Sequence, residues 1–107
     1  MNQPAHIDLE FDHRLVVLNI LQANLPEGTK VWVFGSRATG RARRYSDLDL
    51  VIDAGRRLTL DDFARLTEAF SDSDLPYRVD VVDWLGVEDR WRQAIAPERL
   101  RLLENES

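Results

Sequence analysis

The segment from Val31 to Ile52 constrains the fold of this chain more than any other. It reads Val-Trp-Val-Phe, then Gly35-Ser36, then ten residues, then Asp47-Leu48-Asp49-Leu50-Val51-Ile52. Val31–Phe34 is short, β-branched and aromatic, and apolar on both faces. That pattern predicts a strand covered on both sides, hence a central one. Leu48–Ile52 predicts a second strand. Gly35 lets the backbone turn sharply after the first, and 36–42 predicts a short helix weakened by Gly40. Two strands joined through a glycine turn and a helix call for a sheet layered against helices.

The rest of the chain fits that layer. Phe11, Leu15, Leu18, Leu21 and Leu25 recur every three or four residues, a helical stripe that Pro26 and Gly28 end. Thr59-Leu60-Asp61-Asp62 resembles a capping box with a shortened acidic partner, opening a helix that carries Phe63, Leu66 and Phe70. A polar loop, 71–76, leads to a third strand, Tyr77–Trp84. From Gly86 a helix runs through Trp91 and Ile95. A last helical turn or two is predicted over Pro97–Leu103, with Pro97 at its first position. The expected order is α-β-α-β-α-β-α, an α/β (α+β) fold with a small mixed sheet packed on helices. The closing Leu100, Leu102 and Leu103 fit either the domain's own sheet or a partner helix.

A chain of 107 residues is expected to form one domain, 1–107. At this size roughly two-thirds of the unfolded surface is buried, enough for one core. There is no cysteine, which excludes disulfides and zinc-thiolate sites. No apolar run approaches membrane length and no signal-peptide pattern opens the chain, so a soluble, cytoplasmic protein is expected. The net charge of −5 is a poor match to a nucleic-acid backbone, so direct nucleic-acid binding is not expected. Positive charge is instead local. Arg37, Arg41, Arg43 and Arg44 flank the central motif and Arg56 and Arg57 follow it, as suits a small polyanion. His6 and His13 lack metal-ligand spacing and are read as surface residues.

The central motif carries chemistry in two halves. At Gly35-Ser36, a strand turning into a helix directs unpaired amide donors outward, Gly35 permits close backbone approach, and the Ser36 hydroxyl adds a donor. Arg37, next in the chain, is placed to reach a phosphate. Asp47 and Asp49 point the same way from a strand, because side chains alternate faces. Two adjacent carboxylates repel unless a cation lies between them. Hard divalent ions with oxygen ligands fit, Mg²⁺ in particular and Mn²⁺ as an alternative. Asp80 sits inside the β-branched run Val79-Asp80-Val81-Val82, where an unpaired carboxylate is costly. Its partner is a metal shared with Asp47 and Asp49, or Arg78 or another arginine. Asp83 faces the other way and is read as surface or turn, and Asp53 as structural. Three carboxylates beside a phosphate cradle match two-metal phosphoryl or nucleotidyl transfer.

Gly35-Ser36, ten residues, Asp47-Leu48-Asp49 and then Val79-Asp80-Val81 resembles the nucleotidyltransferase superfamily that includes DNA polymerase beta and kanamycin nucleotidyltransferase. The small size is similar to its minimal nucleotidyltransferase (MNT) branch. The resemblance implies the nucleotidyltransferase fold. It also implies that Gly35 and Ser36 hold a nucleoside triphosphate, with ATP as the expected substrate, and that Asp47, Asp49 and Asp80 bind two Mg²⁺ ions. Larger relatives carry a helical domain for the acceptor, and this chain ends soon after the third strand. It therefore resembles stand-alone MNT proteins that pair with a separate helical HEPN protein, as antitoxin to toxin, some of which move AMP onto a tyrosine of the partner. Two alternatives stand beside this expectation. One is a nucleotide-binding subunit that neutralises its partner by occlusion. The other is a transferase for a small molecule such as an aminoglycoside. The carboxylate set favours catalysis, and the missing acceptor module favours a protein partner.

Overall fold

The computed structural model describes residues 6–104. Its elements are α1 (Phe11–Asn24), β1 (Lys30–Phe34), α2 (Ser36–Thr39), β2 (Leu48–Asp53), α3 (Leu60–Ser71), β3 (Val79–Asp83), a 3-10 turn at Trp84–Gly86, α4 (Asp89–Ile95) and β4 (Leu100–Glu104). The sheet order is β3-β2-β1-β4. β1 runs antiparallel to β2 and β4, whereas β2 and β3 are parallel. β1 is central, as its two apolar faces require.

Alternation sorts the strand residues into two layers. Val31, Val33, Leu48, Leu50 and Ile52 are fully buried in one core with Val17 and Leu21 of α1 and Leu66 and Phe70 of α3. The opposite face is covered by aromatic and guanidinium groups. Trp32 meets Trp84, and Phe34 meets Trp91 edge-on. The Arg99 guanidinium lies 4.0 Å from the Trp32 ring and 4.2 Å from the Trp84 ring, held by cation–π attraction.

Four expectations are corrected. The closing leucines form β4 and not a helix. Leu100 and Leu103 stand opposite Val33 and Val31 across a bulge, and Leu103 is buried in the core. A pairing over that sequence distance leaves no local period to read. The apolar stripe of α1 is also rotated: Val17 and Leu21 are buried, while Phe11 and Leu15 face outward. Residues 15–21 are apolar nearly all round, so periodicity cannot choose a face there. Asp83 is buried rather than superficial. Its carboxylate accepts hydrogen bonds from the Leu58 and Leu85 amides, capping the 3-10 turn and fastening the loop before α3. His13, read as a surface residue, is partly buried and bonds the Tyr77 hydroxyl through Nδ1 at 3.0 Å. Among the described residues, no helix is long and apolar enough to cross a membrane.

The capping box forms as expected. Asp62 N donates to Thr59 Oγ1 at 3.0 Å, and Thr59 N donates to Asp62 Oδ2 at 2.8 Å. Arg56 and Arg65 close on the same carboxylate at 2.8 and 2.7 Å. The Arg56 hydrogen bond and the Thr59 amide hold the buried Asp62 well below the usual carboxylate range. A depressed native pKa means stability that is present above the unfolded value, near 3.9, and lost as pH falls toward the native one. Asp62→Ala is expected to cost about 1–2 kcal/mol at neutral pH. In urea melts the gap from wild type should shrink as pH drops below about 4. A pH-independent gap would mean that the ionised carboxylate is not what caps α3.

Candidate active site

The turn between β1 and α2 brings the two halves of the motif together. Gly35 has φ 72° and ψ −150°, a region that only glycine occupies readily. A Cβ there would overlap the Asp49 carboxylate. Close packing of backbone against carboxylate is thus what makes this residue glycine. Phe34 pairs with Asp49 in the β1–β2 ladder, which sets the carboxylate beside the turn. Gly35 O accepts from the Ala38 and Thr39 amides, each at 3.1 Å, so the chain enters α2 directly. The amides of Ser36 and Arg37 lead that turn and have no intrahelical acceptor. Ser36 is partly exposed beside them.

The carboxylates converge as strand alternation predicts. Asp49 and Asp80 are direct neighbours across the parallel β2–β3 pair, on the same face. Asp47 lies just before β2, in phase with Asp49. Arg78 joins the outer two: its Nη2 is 3.5 Å from Asp47 Oδ2 and its Nε is 3.2 Å from Asp80 Oδ1. The Asp49 carboxyl is pushed above its ordinary pKa, first by burial and then by the charges of Asp80 and Asp47, with Arg78 opposing. Its environment therefore favours a proton or another cation. The donor set consists of hard oxygens under mutual repulsion, which fits a hard divalent ion. Arg78 contacts two of the three, Asp47 and Asp80, and among the described residues no three acidic or histidine side chains stand in metal-holding geometry.

Arg37 departs from its expected role. Its side chain is buried and faces inward, not toward the turn's open side. Nε and Nη2 donate to Ser46 O at 3.1 and 2.9 Å, Nη1 to Asp8 O at 3.0 Å, and Nη2 also to Arg44 O at 3.2 Å. The guanidinium lies 4.1 Å from the Tyr77 ring centroid. With its donors committed, Arg37 clamps the 43–46 loop that delivers Asp47 and does not reach out to a phosphate. The basic cluster divides accordingly: Arg41, Arg43 and Arg44 are exposed beside the turn, while Arg56 is tied to Asp62.

Sequence reasoning missed Glu98. Its Oε1 accepts from the Gly35 amide at 3.3 Å, across 63 positions of chain. No motif surrounds Glu98, and only the docking of the α4–β4 connection brings it there. A groove of about 500 Å³ opens between α3 and β3, lined among others by Phe63, Phe70, Tyr77, Arg78 and Asp80. Of the three carboxylates, Asp80 lines it.

Known proteins share this chain's sequence and fold. Residues 17–106 match the family model described as polymerase beta, nucleotidyltransferase. The chain belongs to that nucleotidyltransferase family. It is 42% identical over 106 residues to a Haemophilus influenzae protein named "Probable protein adenylyltransferase MntA", covering 99% of this chain and 92% of that one. A solved structure described as a minimal nucleotidyltransferase superposes with a TM-score of 0.66 at 37% identity, over 91% of this chain and 98% of the other. The MNT antitoxin fold also appears in a Shewanella oneidensis complex with a tri-AMPylated HEPN toxin. That match has a TM-score of 0.65 at 22% identity, covering 85% of this chain and 69% of that one.

Proposed function

We propose that this chain is a cytoplasmic antitoxin enzyme that transfers AMP from ATP to a tyrosine hydroxyl of a helical HEPN-type toxin. The observation that carries the reading is the contact of Gly35 with the Asp49 carboxylate, with Asp80 beside it on the next strand. One turn then presents phosphate donors directly against Asp49, with Asp80 beside it. The likeness to a protein adenylyltransferase over nearly the whole chain supports transfer to a protein acceptor.

In this reading the amides of Ser36 and Arg37 and the Ser36 hydroxyl bind the triphosphate, with Gly35 allowing its close approach to the backbone. Asp47, Asp49 and Asp80 hold Mg²⁺, two ions by family likeness, or Mn²⁺ in its place. The bound metal supplies charge neutralisation for the triphosphate and the departing pyrophosphate. The acceptor oxygen forms its bond to the α-phosphorus as the bond to pyrophosphate breaks. Exposed Arg41, Arg43 and Arg44 add positive potential beside the turn, favouring approach of a polyanion. Arg37 keeps the 43–46 loop in place, so that Asp47 arrives with a fixed orientation. Most of the catalytic effect is positioning and electrostatics.

The test is intact-mass analysis of the partner toxin co-expressed with this chain. The toxin is expected to be heavier by whole adenylyl groups, and the purified reaction should stop in EDTA. A toxin that is neutralised yet unmodified would replace this reading with neutralisation by occlusion.

A further inference from the structure

Arg78 is the cation that touches the carboxylate set, and its contacts are loose. Besides the two ion pairs given above, Nη2 approaches Asp80 Oδ2 at 3.4 Å. Charge-assisted bonds that fit well are shorter, near 2.7–2.9 Å. The side chain is 75% exposed, so it lies largely in water. Arg78 and Asp80 are two apart at the start of β3, which puts both on the carboxylate face.

We infer that Arg78 is a built-in stand-in for the divalent cation, bridging Asp47 and Asp80 before metal loading and displaced when the metal binds. The inference rests on the metal-holding role of Asp47, Asp49 and Asp80 proposed above. Three carboxylates on one face repel, and the guanidinium offsets that repulsion while the site waits for its metal. A single delocalised charge in exposed, long ion pairs is a weak competitor. A small divalent ion brings twice the charge into direct contact with the same oxygens. Arg78 therefore keeps the site assembled at some cost in metal affinity. Its exposure lets the displaced side chain swing outward without disturbing the core.

The test is titration of Mn²⁺ alone, without nucleotide, into the full chain, followed by loss of the free-ion EPR signal. Arg78→Gln is expected to bind Mn²⁺ roughly three- to tenfold more tightly than wild type. Arg78→Lys keeps the charge and should stay near wild type, an outcome that a purely structural role for the side chain does not predict. Adding Asp49→Asn to Arg78→Gln should reverse the gain. If Arg78→Gln binds Mn²⁺ as wild type does, or more weakly, while Asp49→Asn weakens binding, the counter-ion inference fails and the metal reading stands. If Asp49→Asn changes binding in neither background, the metal reading fails and the inference with it.

Discussion

Asp47→Ala/Asp49→Ala is expected to leave the HEPN-type partner at its unmodified mass, with transfer reduced by at least about a thousandfold. Removal of a single preorganised stabilising group typically costs on the order of 10²–10³ in rate, and this variant removes two of three carboxylates. The fold should survive. Asp47 is 45% exposed, and its contact with Arg78 is a long, solvated ion pair. Asp49 is partly buried among like charges, so its loss relieves repulsion in the metal-free protein. Thermal melts without metal should therefore show no loss of stability, and the variant should still bind its partner. Retained AMP transfer would remove the carboxylates from the mechanism. Full suppression of toxicity without transfer would establish occlusion as the mode of neutralisation.

Gly35→Ala is expected to harm both fold and activity. The backbone conformation there is a strained one for any residue with a Cβ, at about 1–3 kcal/mol. The added methyl also meets Asp49, a side chain anchored in the strand next to β1. Relief requires either the turn or the carboxylate to move, and each carries one half of the site. Transfer should fall by about a hundredfold or more, well beyond what the fraction unfolded in urea melts accounts for. A variant that is destabilised yet fully active, per folded molecule, would show that the close approach of Gly35 to Asp49 is structural only.

The site was legible in the sequence to the extent that strand alternation governs it. Asp47 and Asp49 in phase, Asp80 on the neighbouring strand and Asp83 on the other face all follow from a period of two. Arg78 was visible as one of the answers to how Asp80 is partnered. The capping box at Thr59 was equally local, because its two bonds span three residues. Arg37 shows where such reading stops. Its place after Gly35-Ser36 pointed to phosphate, but its guanidinium finds the carbonyls of Asp8, Arg44 and Ser46, which adjacency in the chain does not reveal.

Local pattern in the chain specifies the alternating and capped elements: the central strand, the turn at Gly35, the paired carboxylates and the helix after Thr59. Each depends on interactions between residues a few positions apart, whose geometry the backbone period imposes. The rest depends on long-range packing. Leu100–Glu104 became an edge strand because β1 had an unpaired side and the core had room for Leu103. Asp83 and Arg37 became internal fasteners because distant loops brought amides and carbonyls that needed partners once buried. Glu98 reached Gly35 only after the chain had folded back on itself. Pairings of that kind depend on what the packed layers leave unsatisfied, which no local pattern of residues records.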